Sequence, residues 1–203
     1  KLGQFLATRP DIIGEKISLE LEKLQDKLPA FQLSNAKNIL KKELGEENFL
    51  KITNLSEPID AASIAQVHAA RLGTGEEVVV KLRRPNVRQQ IERDLEVLYA
   101  LARLARRYWP DGRRLRPVEV VTEYKKTVLN ELDLMREAAN AAQLRRNFLG
   151  SKMLYVPEVY FDYCRPGVMV MERITGIAIS DIDSLRRADR KSTRLNSSHD
   201  QIS

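Results

Sequence analysis

The sequence predicts an α+β fold, a small antiparallel sheet with helices on both sides of it along the chain. Apolar residues recur every three or four positions through much of the first fifty residues, which is helical spacing. Between Leu50 and Leu82 the pattern becomes extended, with β-branched runs around a Gly73-Thr74-Gly75 turn. Helical spacing returns after Pro85, and a final pair of strand-like segments follows Val156. At 203 residues and 43% hydrophobic composition, the chain has material for one core, or one core with an appended subdomain.

Ile13, Ile17, Leu21, Leu24 and Leu28 define a first helix, which Pro29 stops. Ser34 is placed to cap a second, short helix, and Gly45 to close it. The segments "VHAARL" and "EEVVVKL" then read as the two arms of a hairpin. Beyond Pro85, the stripe Val87, Ile91, Leu95, Leu98, Ala102 and Ala105 predicts a helix up to Trp109. "PDGRRLRP" is a turn-rich break, and Pro117 suits the first turn of a long helix. That helix is expected to bury Val121, Tyr124, Val128, Leu132, Met135, Ala139 and Ala142. "PEVYFDYC" and "GVMVMERI" read as two strands joined by Arg165-Pro166-Gly167. The last stretch, "RKSTRLNSSHDQIS", is polar and aperiodic. It reads as a disordered tail, and it also resembles adapter-derived read-through at the ends of fragmentary sequences; it is set aside from the fold, as a scar is.

Composition narrows the function classes. Cys164 is the only cysteine, so no internal disulfide forms, and a reducing compartment is the natural reading. No apolar run approaches membrane-helix length, and the first residues do not form a signal peptide. Membrane attachment is therefore expected to be peripheral, or to lie in sequence beyond these residues. The first residue is Lys1, so a fragment is expected. The net charge of +6 permits an anionic partner. Six arginines face one acid, Asp111, between Arg103 and Arg116, which reads as a solvated helix face and turn, with lipid headgroups left open as a partner. Interleaved aromatics, Cys/His ligand spacing and a recognisable nucleic-acid module are all missing, so nucleic acid is not an expected partner. His68 and His199 read as ordinary packed or tail residues, and no metal-ligand cluster or Ser/His/Asp triad is visible.

A hairpin, a strand ending in lysine, a helix bearing acids and a strand pair follow one another in the order of a kinase small lobe. In such a lobe a loop brings backbone N–H groups to phosphates, the lysine supplies a point charge, and a helix glutamate holds the lysine. The last strand leads to a hinge that binds adenine. Val78-Val79-Val80-Lys81 alone would be a strand with a surface lysine, and Glu137 alone a solvated glutamate. Their order and spacing give them weight.

The motifs then become specific. "KLGQ" at Lys1 to Gln4, "AASIAQVH", "VVVK", "NELDLMREAANA" and "VMVMERITG" together resemble the UbiB/ADCK family of atypical kinases, from Lys1 to about Ala188. The resemblance implies a kinase-like small lobe over 51–176 with inserted helices, and an N-terminal helical KxGQ extension over 1–50. It implies a linker starting at 177–189 toward a large lobe that is absent here, with 190–203 as the tail. ATP is the implied ligand. Asp60, Ala61, Ala62, Ser63, Ile64, Ala65, Gln66 and Val67 would lie over its phosphates, where alanine replaces glycine and stiffens the loop. Lys81 would bind the phosphates and pair with Glu137. Met171 would be the gatekeeper, with the Glu172 carbonyl and the Ile174 N–H facing adenine. Lys1 and Gln4 would sit on a helix across the site, with Lys1 paired to Glu131 and Asp133 of an ExD motif. Read without the family, those two acids are a solvated helix edge, about 200° apart on a helix.

The function the resemblance implies is ATP binding and hydrolysis in support of ubiquinone biosynthesis, with protein phosphorylation blocked. The alternative is a non-catalytic scaffold for quinone-pathway proteins or membrane lipid. Implied partners are quinone-biosynthesis proteins and an anionic membrane surface. The implied location is the cytoplasmic face of the bacterial inner membrane, with membrane helices in the missing C-terminal part. No catalytic-loop aspartate or DFG motif follows Ile174; Asp181 and Asp183 read as a turn and a helix cap. Catalytic residues and ligands for Mg2+ are therefore expected in the parent protein and not in this chain, which should not turn over ATP alone.

Overall fold

The run Val78-Val79-Val80 lies at the centre of an antiparallel sheet because β-branched residues fit a pleated, buried surface. In the computed structural model the described residues are 29–109, 114–151, 153–177 and 181–188. Lys1, Gln4, the expected helix over 13–28, His199 and the tail from 190 lie outside them. The chain divides into two units, Lys1–Arg173 and Ile174–Ser203.

In the first unit, helix α1 spans Leu33–Leu50 and leads to strands β1 (Ile52–Thr53), β2 (Pro58–Ala61), β3 (Ala65–Leu72) and β4 (Glu77–Arg83). Helices α2 (Val87–Tyr108), α3 (Pro117–Asn130) and α4 (Leu134–Asn147) follow, then a short 3-10 turn at Phe161–Tyr163 and strand β5 (Val168–Glu172). The sheet order is β1-β3-β4-β5, with β2 also paired to β3. The β3–β4 hairpin turns at Gly73-Thr74-Gly75, where Leu72 N–H donates to Glu76 O at 3.0 Å. Gly75 supplies the left-handed backbone the turn needs, at φ 107°. The second unit holds a helix over 182–188, and Asp181 accepts from Ser184 N–H at 3.0 Å, as a helix cap does.

Strand alternation gives the sheet two faces. Ala70, Leu72, Val78, Val80, Leu82, Val168 and Val170 point to one side and pack against Ala36, Leu40 and Leu44 of α1. Each of the valines and leucines among them contributes roughly 1.5–3 kcal/mol by leaving water. The registers Val67↔Lys81↔Met169 and Ala69↔Val79↔Met171 put those residues on the opposite side. There Met169 packs with Leu134 and Ala138 of α4, and with Val159 and Cys164.

Four expectations change. The second helix starts at Leu33 with Gln32 at its cap, and Ser34 lies inside the first turn with its hydroxyl toward Gln32 Oε1. Gly45 kinks that helix instead of ending it, at φ 77° and ψ 166°, a region nearly reserved for glycine. Phe49 beyond the kink packs on the core, which draws the last turns back to the sheet.

The long helix expected from Pro117 is two helices, broken at Glu131-Leu132-Asp133. The break resets the phase, so Leu134 and Ala138 are buried and Ala139 is exposed. Arg83 holds the break against the sheet by donating to Leu132 O at 2.8 Å. Asp133 starts α4 by accepting from Met135 N–H at 3.0 Å. Asp133→Ala should therefore cost about 1 kcal/mol, read as a lower urea midpoint with an unchanged m-value.

"PEVYFDYC" is not a strand. Pro157 has no N–H to give, Phe161–Tyr163 wind into the 3-10 turn, and the remaining pairing with β5 is a bridge at Val159↔Met171. Cys164 closes this corner: its Sγ accepts from Val170 N–H at 3.4 Å and lies 3.3 Å from Tyr160 O. Burial pushes its thiol pKa up. Native protein should accordingly resist a thiol reagent at pH 8 and react stoichiometrically once unfolded, which a colorimetric thiol titration measures.

Candidate functional site

Lys81 stands on β4 and Glu137 in the first turn of α4, and the two meet across the face that α1 does not cover. Lys81 Nζ donates to Glu137 Oε1 at 2.6 Å and to Oε2 at 2.8 Å. Their side chains are 27% and 44% exposed, so the pair is screened and holds a geometry more than it holds the fold. Capping by Asp133 and burial of Leu134 and Ala138 fix the helix from which Glu137 reaches.

The pair lines a cavity of about 590 Å³, within the usual size of small-ligand pockets. One wall is the β2–β3 hairpin tip, Ala62, Ser63, Ile64 and Ala65. The other is built by Thr127, Asn130, Glu131 and Asp133 around the α3–α4 break, and by Arg136, Glu137 and Asn140 on α4. Two cations, Lys81 and Arg136, thus share a concave space with three carboxylates and several neutral hydrogen-bonding groups. Lys81 and the hairpin tip are the part of this lining that can face an anion, and the carboxylates of Glu131, Asp133 and Glu137 gather on the opposite wall. Among the described residues no group of three His, Cys, Asp or Glu is arranged to hold a metal ion.

The hairpin tip explains its own composition. Ala62 N–H donates to Ala65 O at 2.9 Å, and among the described residues the non-glycine ones with positive φ are Asn54, Asn86 and Arg116, none of them in the tip. A turn with negative φ throughout does not require glycine, and alanine keeps it stiffer.

The expected phosphate-facing residues divide between the two faces. Ala65 and Val67 lie on the cavity side of β3, paired with Arg83 and Lys81. Asp60, opposite Val67, is exposed on β2 and accepts from Ala61 N–H at 2.9 Å. Gln66 points to the other face, fully buried, bonded to the backbone of Phe31 and to His68. Ala61, opposite Gln66, follows it there.

At the far edge, Met171 is on the cavity side of β5 and packs beside the α4 cluster. The Glu172 carboxylate accepts from Tyr155 Oη at 2.5 and 2.6 Å and from Glu158 N–H at 3.1 Å. The tyrosine bond first, then the amide, hold its pKa below the ordinary carboxylate range. Arg173 N–H donates to Glu77 O at 3.0 Å, which continues the sheet to the end of the first unit. Ile174 opens the second unit and is exposed.

Glu131 and Asp133 both line the cavity but sit in a turn, not on a helix edge. Sequence reasoning missed Thr127, Asn130, Arg136 and Asn140. Helical spacing around Glu137 would have found Asn140 at i+3; the break before α4 hid Thr127 and Asn130, and Arg136 adjoins Glu137 on α4, where helical spacing gives no signal. Among the described residues no helix is long and apolar enough to cross a membrane.

Comparison with known proteins agrees with this layout. The ABC1 atypical kinase-like domain matches residues 23–201. "Probable protein kinase UbiB" of Pseudomonas aeruginosa is 54% identical over 189 residues, 92% of this chain and 35% of the relative. The protein of the same name from Azotobacter vinelandii is 51% identical over 188 residues, 91% of this chain and 35% of its own length. The chain thus spans about 35% of these curated relatives. Among solved structures, Rv3197 of Mycobacterium tuberculosis, determined as a complex with erythromycin, superposes with a TM-score of 0.63 at 28% identity. That match covers 89% of this chain and 44% of the other. With a matched domain over most of its length, a small lobe of the expected order and the lysine–glutamate pair in place, the chain belongs to the ABC1 atypical kinase-like family.

Proposed function

We propose that the chain carries the ATP-binding side of a UbiB-type atypical kinase or ATPase that supports ubiquinone biosynthesis. The observation that carries this reading is the Lys81–Glu137 pair on the wall of the 590 Å³ cavity, opposite the glycine-free hairpin tip. Lys81 would place its charge on the α/β-phosphates and Glu137 would keep it there, while Ser63 and the flanking alanines close over them. Mg2+ belongs to the chemistry of the parent protein, where it would neutralise phosphate charge.

The 203 residues contain no catalytic-loop or DFG aspartate, so this chain is expected to bind ATP without hydrolysing it. We further propose that the parent works at the cytoplasmic face of the bacterial inner membrane. In support of a lipid-facing surface, α2 exposes Val97, Leu101, Leu104 and Tyr108 beside Arg103, Arg106 and Arg107. Lys81→Ala in the full-length parent tests the reading. Loss of quinone synthesis with normal protein level supports nucleotide chemistry; full quinone synthesis contradicts it and favours the scaffold.

A further inference from the structure

We infer that Arg84 and Gln66 are positioning residues that clamp the cavity's hairpin wall to the chain at Pro29–Phe31, and that the grip on a nucleotide's phosphates depends on this clamp. The inference rests on the nucleotide reading above and adds residues that the reading does not use for contact. Neither Arg84 nor Gln66 lines the cavity, so any effect they have passes through the hairpin.

Arg84 pins one side of the tip. Its Nε donates to Ala62 O at 2.8 Å, its Nη1 donates to Pro29 O at 3.0 Å, and its own N–H donates to Ile64 O at 2.8 Å. One residue thus holds two carbonyls of the turn and a third from the segment that precedes α1. A planar guanidinium can span two carbonyls in different directions, whereas a lysine ammonium is a single compact donor centre on a flexible stem.

Gln66 pins the other side. Phe31 N–H donates to its Oε1 at 2.9 Å, and its Nε2 donates back to Phe31 O at 3.2 Å. The amide cannot turn over without placing donor against donor. His68 reinforces that orientation: its Nδ1 is 2.9 Å from Ser56 O, an acceptor, so Nδ1 carries the proton. The other ring nitrogen then accepts from Gln66 Nε2 at 2.8 Å. No titratable side chain other than His68 takes part in this bonded group, and with every donor matched it is rigid.

The tip itself is closed by a single backbone bond, from Ala62 to Ala65. Beyond the sheet pairing of Ala61 and Ala65 and the Arg84 N–H bond to Ile64, its position over the cavity is set by the two flanking side-chain attachments, and both run to Pro29–Phe31. The stretch immediately upstream of α1 and the phosphate-facing wall move together or not at all.

The test compares ATP with adenosine, by titration calorimetry on the full chain, in wild type, Arg84→Lys and Gln66→Met. A loosened hairpin should weaken ATP and spare a ligand without phosphates. The expected result for Arg84→Lys is an ATP affinity about tenfold lower, with adenosine changed by no more than about twofold. Because lysine keeps the charge, that loss assigns the effect to the bridging bonds and not to attraction between Arg84 and the phosphates. Gln66→Met should act in the same direction; if it does not fold, Arg84→Lys decides alone. Unchanged ATP affinity in Arg84→Lys, or equal weakening of ATP and adenosine, overturns the clamp. A wild-type chain that binds neither ligand overturns the nucleotide reading itself, a result distinct from a binding wild type whose variant is unaffected.

Discussion

Lys81→Met should weaken ATP binding by about a hundredfold while leaving the fold nearly as stable as before. The asymmetry follows from where the charge sits. Between Lys81 and a phosphate about 4 Å away at an effective dielectric near 20, the attraction is about 4 kcal/mol before desolvation is subtracted. Losing even two-thirds of that amounts to about two decades in Kd. The same substitution leaves the Glu137 carboxylate facing the phosphates without its cation, and like charges then oppose binding. For folding the ledger is different. Both side chains are partly exposed, so the pair contributes roughly 1 kcal/mol or less. Glu137→Gln should fall between, with ATP weakened about tenfold, because Lys81 survives but loses its anchor. Calorimetric titration with ATP, alongside a thermal melt of each variant, checks both halves of this expectation.

Leu134→Ala should have the largest effect on stability near the site, about 2–4 kcal/mol. Leu134 is 1% exposed and packs with Ala138, Val159, Cys164 and Met169, so truncation leaves a cavity between α4 and the sheet. Out of a typical 5–15 kcal/mol this is a large fraction. It also reaches the site, since Leu134 lies one turn before Glu137 on the helix that carries it. ATP affinity in the folded Leu134→Ala chain should therefore fall by a few-fold, against no change for a core truncation on the α1 face such as Leu40→Ala. Urea denaturation gives the first number and nucleotide titration the second.

The parts of this architecture legible in the sequence are those where a local pattern and a chemical role coincide. Lys81 closes a β-branched run, and Glu137 lies on an amphipathic helix; their meeting at 2.6 Å needed only the family's order of elements. The β3–β4 hairpin was legible because Gly73-Thr74-Gly75 interrupts two alternating runs. The α3–α4 break was not, because Val128, Leu132 and Met135 continue a helical apolar stripe straight through it. Two interactions break the helix: Arg83 binds the Leu132 carbonyl from 49 positions away, which no local spacing shows, and Asp133 offers a local cap that the apolar stripe outweighed in the sequence.

Gly45 misled for a related reason. It carries the backbone of a terminator, but the packing of the partly buried Phe49 brings a second helical piece back onto the core. Motif membership groups Gln66 with the phosphate-facing residues but says nothing about strand face. Period-two alternation from Lys81 through the β3 register puts it on the opposite side. In "PEVYFDYC" the aromatic and β-branched composition favoured a strand, and the proline and the 3-10 turn prevailed.

On the proposed function, nucleotide phosphates lie between Lys81 and the alanine-serine hairpin. Amide hydrogen exchange of the chain, with and without a non-hydrolysable ATP analogue, tests it most directly. Protection centred on Ala62–Ala65 and on the start of α4 around Glu137, absent in Lys81→Met, is the result expected. Saturable binding of the analogue with no change in exchange at either place would contradict the assignment and move the site elsewhere.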